Sequence, residues 1–392
     1  MDDHIGARIG YWRRRRGLTQ TVLAGLAGLS QPFISYVEAG RKSIERRSTL
    51  VAVARALQVT VADLLGQPGD PTDPLKEEVE RAIPALRVAL IEIDEGERRN
   101  STRTSEELAA AVERVSALRA ESQYSPISAV LPGLLLDAAA HGPRLLAQVG
   151  HSASECMSSL GYRDLAFFAA RVAVNAASEA EDPAWIGSTR FVYTLAMPIE
   201  SAPTTSRVAD RALAALQSKA ADSRVRQVLG QLHLSASLVC AVNERPDDAE
   251  AHLTEATREG RSLGDPDDGL GFNLLAFGPT NVGLWRMTVA TELGEHQRVI
   301  ELAREIEPRR LNVANRRQSY WMHLGRALAH SGKTDREALA ALINAERAAP
   351  VPFAVNPLVR DSLVAMMHRA RRRAVPEDLR VLARRVDIEA LV

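Results

Sequence analysis

The chain has only two cysteines in 392 residues, and it has no apolar run near the ~18 residues that mark a transmembrane helix. Cys156 and Cys240 each lie inside an apolar helical pattern, which predicts buried free thiols in a reducing compartment. No signal peptide is recognisable at the start, because the arginine run 13–16 interrupts the first apolar stretch. These absences predict a soluble protein of the cytoplasm.

Motifs that carry catalytic or metal chemistry are also missing. The nine histidines show no metal-binding spacing, and the sequence contains no HExxH, no paired CxxC, no GxSxG and no P-loop. Gly269-x-Gly271 lacks a third glycine, and no predicted strand precedes it. We therefore expect no enzymatic activity, no cofactor and no metal site.

Strand-type alternation is nearly absent and aromatic residues make up only 4% of the chain, whereas helical periodicity is pervasive and alanine is abundant. This pattern predicts an all-α protein. A chain of 392 residues is too long for one small core, so we expect two or more structural units.

The net charge is zero, but the charges are unevenly distributed. Residues 1–66 carry ten basic and five acidic side chains, which gives this segment a net charge of +5 and the remainder −5. A basic unit joined to an acidic one is typical of a phosphate-binding domain attached to a domain that does not bind nucleic acid.

Residues 18–40 have the pattern of two short helices joined by a tight turn, which is the outline of a DNA-reading helix-turn-helix. Thr19 and Ser30 stand where the two helices need N-caps, and Pro32 falls in the first turn of the second helix. Gly40 then ends that helix. The predicted apolar positions are Val22, Leu23 and Leu26 in the first helix and Phe33, Ile34 and Val37 in the second.

The same segment resembles the Xre/Cro-repressor class of DNA-binding domains. The matching residues are Leu18, Thr19, Gln20, Leu23, Ala24, Gly28, Leu29, Ser30, Ile34, Ser35, Val37, Glu38 and Gly40. The resemblance implies a five-helix, lambda-repressor-like domain over residues 1–66 and double-stranded operator DNA as a partner. A linker at 67–74, with three prolines and a glycine, is expected to follow.

The exposed side of the second helix is predicted to read bases through Gln31, Pro32, Phe33 and Tyr36. The planar amide of Gln31 suits bidentate pairing with adenine N6 and N7, and Tyr36 suits a base edge or a phosphate. Two alternatives remain open. Gln31 is then a solvated surface residue, and Phe33 packs on its own domain instead of contacting a thymine methyl group.

Phosphate contacts are expected from the residues around this helix. In the Xre class the glutamine that starts the first helix of the motif contacts a phosphate, and the resemblance gives this role to Gln20. Arg41, Lys42 and Arg46 lie in the following loop and are predicted to contact phosphates or the minor groove. The arginines at 13–16 are either a further basic surface or a solvated helix end.

After the linker, residues 75–392 are predicted to form a helical domain, which becomes a series of helix pairs from about residue 126. We expect pairs that start near residues 144, 184, 223, 281, 316 and 357. The pattern Trp321-x-x-Leu324-Gly325-x-x-Leu328, followed by Ala338, Leu342, Ala345 and Pro350, resembles the tetratricopeptide repeat. The resemblance implies a tetratricopeptide-like α-solenoid.

One long segment breaks the spacing of the pairs. Residues 264–279, here called the insertion, lie between the pair that ends near Leu263 and the next one. Long insertions in solenoids tend to be functional or disordered. Because the insertion contains Phe272, Leu274, Leu275 and Phe277, we expect it to dock against the helical domain.

Asn281 and Trp285 are four residues apart on one helical face directly after the insertion. The segment resembles a feature of actinobacterial Xre-tetratricopeptide regulators, and in related peptide sensors an inner asparagine clamps a peptide backbone. The resemblance implies this role for Asn281, whereas an N-cap role is the alternative. The other candidates for the effector site are Phe277, Arg190, Tyr193, Tyr320 and His323.

Taken together, these features predict a DNA-binding transcriptional regulator. Its helical domain is expected to bind an effector, either a small metabolite or a peptide, and to form a homodimer. The alternative is an adaptor in which the solenoid binds a partner protein and DNA binding is secondary.

Overall fold

The computed structural model describes residues 4–66, 74–97, 99–370, 375–386 and 388, with the helical backbone but not the side chains of 74–78. These residues form α-helices, three short 3-10 turns and connecting loops, and none of them lies in a β-strand. The expected all-α fold is therefore confirmed, with a small N-terminal helical unit (residues 4–66, the head) followed by a long helical region (residues 74–388, the body).

Five helices build the head. They are α1 (Ile5–Arg15), α2 (Gln20–Ala27), α3 (Gln31–Glu38), α4 (Arg47–Leu57) and α5 (Val61–Leu65). Thr19 accepts a hydrogen bond from the backbone N–H of Val22, and Ser30 accepts one from that of Phe33, so both predicted N-caps are present. One apolar core joins the five helices, and its fully buried members include Ile9, Leu23, Ile34, Val37, Leu50, Leu57 and Leu64.

The inner face of α2 differs from the prediction. Leu23 is fully buried, but Val22 and Leu26 are 46% and 62% exposed. Ala24 takes the second inner position instead, because the short α2 lies between α3 and α4 and presents only one narrow stripe to them.

The body continues with α6 (Pro74–Asp94), α7 (Ser105–Ala120) and α8 (Tyr124–His141). The later helices are α9 (Pro143–Ser159), α10 (Arg163–Glu179), α11 (Pro183–Ala196), α12 (Ala202–Gln217), α13 (Ser223–Val242), α14 (Pro246–Leu263), α15 (Pro279–Leu293), α16 (His296–Glu305), α17 (Ala314–Ala329), α18 (Asp335–Ala348), α19 (Pro350–Ala354), α20 (Pro357–Ala370) and α21 (Glu377–Arg385). Helices α9, α11, α13, α15, α17 and α20 begin close to the six predicted starting points.

The linker prediction lies mostly outside the described residues, which stop at Gly66 and resume at Pro74. A smaller difference concerns the start of α7. The cap of that helix is Thr104, which forms a reciprocal pair of hydrogen bonds with Glu107, and not Ser105 as the sequence indicated.

The helices of the body stack as antiparallel pairs, and the first helix of each pair contacts the first helix of the next. Small residues allow the close approaches within and between pairs. A Cβ atom at Gly325 would lie 2.8 Å from Leu342, and one at Gly150 would lie 2.9 Å from Ala173. Gly325 and Leu342 both belong to the repeat pattern read from the sequence, and that pattern marks the contact between α17 and α18.

The insertion docks on this stack, as expected. Phe277 is fully buried, and its ring occupies the space that a side chain at position 230 would need. Phe272 packs edge-on against Trp185, with ring centroids 5.2 Å apart. The apolar residues of the insertion thus fill the inner side of the body instead of lying in solvent.

None of the described helices is both long enough and apolar enough to span a bilayer.

Candidate functional site

Helix α3 exposes the side that the sequence assigns to DNA. Ile34 and Val37 are fully buried in the head, whereas Gln31, Pro32 and Tyr36 are exposed. The 3.6-residue helical period separates the two sets because α3 is eight residues long and packs on α1 and α2 by one face only.

A chain of polar side chains holds Gln31. Its Nε2 donates to Oε1 of Gln20 at 3.0 Å, and Nε2 of Gln20 donates to Oε2 of Glu38 at 2.9 Å. Glu38 in turn accepts two hydrogen bonds from the Arg13 guanidinium, at 2.6 and 2.9 Å. The Gln31 amide is therefore oriented before any DNA arrives, and Arg13 is used inside the head.

The loop after α3 contains the remaining predicted DNA contacts. Arg41 and Lys42 are exposed, and the Lys42 ammonium lies 5.2 Å from the centroid of the Phe33 ring. Phe33 is half-buried and belongs to the edge of the head core. This position favours the alternative that Phe33 packs on its own domain, where it supports the cation beside it.

Arg46 does not point where the sequence placed it. Its Nε donates to the backbone carbonyl of Glu292 at 2.9 Å, and its Nη2 lies 3.5 Å from a carboxylate oxygen of Glu244. The phosphate role predicted for Arg46 is therefore wrong for this arrangement, because the chain turns into the body directly after Lys42 and takes this side chain with it.

Three carboxylates of the body hold the head through its backbone. Glu292 accepts from the N–H groups of Arg47 and Ser48 at 2.6 and 3.2 Å, so a side chain of the body caps the N-terminus of α4. Asp361 accepts from the N–H of Ile44 at 2.6 Å. We call these contacts, together with the bond of Val61 N–H to Glu200 at 2.7 Å, the head–body seam.

The seam also contains apolar contacts and a buried acid. Leu358 and Ile199 pack against the head core, and a Cβ atom at Gly40 would touch His368. Burial raises the pKa of Asp361 to about 7, although the Ile44 N–H and the Arg326 guanidinium favour its charged form. The seam uses residues 40–48 and 61 of the head and leaves the exposed side of α3 uncovered.

Comparison with known proteins agrees with this geometry. Residues 4–65 match the family model of a helix-turn-helix domain. The chain thus has an N-terminal helix-turn-helix domain, which indicates DNA-binding regulation. No curated protein matches the chain.

The residues predicted for the effector site do not line one cavity. Asn281 is buried in the first turn of α15, where its Nδ2 donates to Oε1 of Gln231 and to the Leu275 carbonyl. It is not the N-cap, a position that Gly278 occupies. Trp285 is buried against Phe191, with ring centroids 6.2 Å apart.

The other members of that set also serve the packing of the body. Tyr193 stacks on Phe167, the Tyr320 hydroxyl donates to the Ala303 carbonyl, and His323 lies 3.2 Å from the Thr288 hydroxyl. Arg190 is half-buried beside Tyr193, and Phe277 is fully enclosed. Periodicity identified an inner face here, but helices packed against that face fill it.

A different cavity lies where the body curves back on itself. It encloses about 180 Å³ between α7, α9, α11, the insertion and the start of α17. Its polar lining residues are Arg119, His151, Ser154, Glu155, Ser158, Ser159, Asn273, Asn315 and Arg316. We call it the central cavity.

A hydrogen-bond network connects the walls of the central cavity. Arg119, which is 1% exposed, donates to Glu155 at 3.1 Å and to Oδ1 of Asn273 at 3.0 Å. Glu155 also accepts from Asn315 at 3.1 Å. The arrangement links α7, α9, α17 and the insertion through a single buried ion pair.

The charges at the central cavity are biased toward cations. Burial would raise the pKa of Glu155, but the Arg119 guanidinium holds it below its usual value, so the carboxylate stays charged. Burial lowers the pKa of His151 to about 3, and the nearby Arg119 lowers it further, so this imidazole is neutral at pH 7. Arg316 adds a second cation, and its Nε has no hydrogen-bond partner in the protein, as is also true of Oδ1 of Asn315.

Three residues of the insertion have backbone angles that side chains rarely adopt. Asn273, Leu274 and Ala276 have φ values of 47°, 62° and 46°. Such conformations cost ~1–3 kcal/mol each and persist only where the surroundings fix them. Here Asn273 is fixed from two sides, by Arg119 and by its own bond to the Ser188 hydroxyl at 3.0 Å.

The first prediction tests the seam. Glu292→Gln should lower the free energy of unfolding by about 1–3 kcal/mol, because a neutral amide is a weaker cap for α4 and leaves the Arg47 guanidinium without its carboxylate. Urea denaturation followed by circular dichroism measures this change. Glu250→Gln is the matched control, since its exposed pair with Arg286 should contribute no more than ~1 kcal/mol. Equal effects of the two substitutions would show that the seam is not a stabilising contact.

The second prediction concerns pH. Burial holds the pKa of His151 and His323 at about 3 and that of His233 at about 4, well below the value of ~6.5 in an unfolded chain. Between these values the unfolded chain binds three protons that the folded chain excludes, whereas Asp361 binds one in the folded state only. Stability should therefore fall as the pH is lowered from 7.5 to 5.5.

Urea midpoints at the two pH values measure this change. His151→Gln should make the dependence shallower, because it removes one excluded proton. Asp361→Asn should make it steeper, because it removes the single contribution of opposite sign. A pH dependence that neither substitution alters would contradict the assignment.

Proposed function

We propose that the protein is a sequence-specific transcriptional regulator of the Xre type. In this proposal the body is a tetratricopeptide-like solenoid that binds an effector and holds a homodimer, and the protein acts in the cytoplasm without enzymatic activity. The observation that carries the proposal is an exposed helix-turn-helix reading face on a head that is fixed to a large helical body.

The head supports the DNA-binding part. Gln31, Pro32 and Tyr36 form an exposed surface at the N-terminal half of α3, which is the part of a recognition helix that reaches base edges. Arg41 and Lys42 stand exposed at its other end and suit phosphates. The held amide of Gln31 reduces the conformational entropy lost when it pairs with a base.

The seam supports a role for the body in spacing two heads. One small head buries too little DNA surface for tight specific binding, and helix-turn-helix proteins usually bind as dimers to half-sites about one helical turn apart. A head fixed by Glu292 and Asp361 cannot adjust its position freely. In a dimer held by the body, the shape of the body then determines the separation of the reading helices.

The central cavity supports a small effector. Its volume of about 180 Å³ is below the ~300–1,000 Å³ that drug-sized ligands occupy, which favours a small metabolite over a peptide. Arg119 and Arg316 exceed Glu155 by one charge, and Arg316 Nε and Asn315 Oδ1 offer a donor and an acceptor to a ligand. These groups suit a small polar molecule with an anionic group.

Helix α15 offers a route from this cavity to the head. The insertion lines the cavity through Asn273 and is tied to the first turn of α15 by the bond of Asn281 to the Leu275 carbonyl. The last turn of α15 contains Glu292, which caps α4 of the head. A ligand that moves the insertion would shift α15 as a rigid rod and with it the head.

The third prediction tests DNA reading. Gln31→Ala should reduce the preference for operator over random DNA by ~1–3 kcal/mol, the value of one bidentate base contact. Arg41→Ala should instead weaken both complexes about equally and reduce the salt dependence of binding. Gel-shift titrations on operator fragments selected from random sequence measure both effects. An unchanged preference in Gln31→Ala would show that the reading face is assigned wrongly.

The fourth prediction tests the body. Native mass spectrometry of the full chain, purified after incubation with cell extract, should show a dimer that retains a small mass. Arg316→Gln should lose that mass and remain dimeric, because it removes a ligand-binding cation from the cavity. Arg304→Gln, an exposed arginine outside the cavity, is the control and should retain it.

Three other results would contradict parts of this proposal. A monomer at micromolar concentration would remove the dimer. A small mass retained equally by Arg316→Gln would move the effector away from the central cavity. A retained polypeptide in place of a small molecule would favour an adaptor whose body binds a partner protein.

A further inference from the structure

Three side chains with metal-binding atoms meet beside the head–body seam. Glu45 lies in the loop between α3 and α4, His296 is the first residue of α16, and His330 directly follows α17. The carboxylate of Glu45 lies 2.8 Å from Nε2 of His296 and 2.8 Å from Nδ1 of His330. Residues far apart in sequence thus place two imidazole nitrogens and one carboxylate at a single point.

The two imidazole rings are held side by side. They stack with centroids 3.8 Å apart and planes inclined by 21°, so both nitrogens face the same carboxylate. All three ligand atoms lie within 4.8 Å of one another. Within the described part of the chain, this is the one group of three such side chains that is close enough to share an ion.

The kind of ligand narrows the kind of ion. Two imidazoles and one carboxylate suit zinc and its neighbours among the divalent transition metals, whereas magnesium and calcium prefer oxygen ligands. Tetrahedral bonds of ~2.0–2.2 Å place neighbouring ligand atoms about 3.3–3.6 Å apart, so the groups would need to separate by roughly half an ångström. His330 is 38% exposed, which leaves room for water as a fourth ligand.

We propose that Glu45, His296 and His330 form a binding site for a divalent transition-metal ion, with zinc as the best fit, that joins the head to the body. The site goes beyond the proposed function, because neither operator reading nor the central cavity requires it. An ion bound here would connect the loop that follows the recognition helix to both α16 and α17. It would reinforce the seam at a point only two residues before the cap of α4.

A second pair of histidines provides a control. His233 and His252 approach with their Nδ1 atoms 3.0 Å apart, but the nearest carboxylate, of Asp210, is 3.8 Å from Nε2 of His252. This pair presents two imidazoles without a third ligand close to both Nδ1 atoms. A substitution there tests unspecific binding of metal to histidine.

The experiment uses the full chain after dialysis against a chelator. Isothermal titration with Zn²⁺ should give one ion per chain, and His296→Gln and His330→Gln should each weaken binding at least ~10-fold, because even changes outside the ligand set typically cost 10–100-fold. His252→Gln should bind Zn²⁺ as the wild type does. Added Zn²⁺ should raise the melting temperature of the wild type and of His252→Gln only.

The Co²⁺-loaded wild type gives a readout that needs no variant. Co²⁺ held by nitrogen and oxygen ligands in a four-coordinate site should show strong visible absorption, unlike aqueous Co²⁺. Absence of this absorption together with absence of stoichiometric Zn²⁺ binding would overturn the proposal. Zn²⁺ binding that both His296→Gln and His330→Gln retain at full affinity would overturn it as well, even if DNA binding and effector binding were normal.

Discussion

The position of the DNA-reading helix depends on carboxylates of the body that accept hydrogen bonds from backbone N–H groups of the head. Glu292 is the central one, because it caps α4 where the head itself supplies no capping side chain. A helix N-terminus attracts negative charge, so a buried carboxylate from another part of the chain is held there firmly. The head is consequently docked through its backbone, while its variable surface residues stay available for DNA.

The same helix that provides Glu292 is tied to the interior of the body at its other end. Asn281 connects the start of α15 to the insertion, and Asn273 of the insertion belongs to the network around Arg119 and Glu155. Buried polar networks of this kind are costly when they are incomplete, because each unpaired group has lost its water. The unpartnered atoms of Asn315 and Arg316 therefore mark the place where a ligand would gain most.

Local patterns in the sequence were sufficient for the head and for the order of helices in the body. Caps at Thr19 and Ser30, and the spacing of Ile34 and Val37, depend only on neighbours within a few residues. The effector site could not be found in this way. Asn281 and Trp285 do share an inner face, but whether such a face is open or filled depends on helices that are distant in sequence.

The sequence by itself determined the all-α class, the helix-turn-helix and the presence of a docked insertion, because helical period, capping and apolar content are properties of short segments. The tertiary structure alone decided that Arg46 serves the seam, that a central cavity forms around Arg119, and that Glu45 meets His296 and His330. These arrangements join residues separated by up to 285 positions. No spacing pattern can report them, since the chain brings such residues together only when the body curves back and the head docks on it.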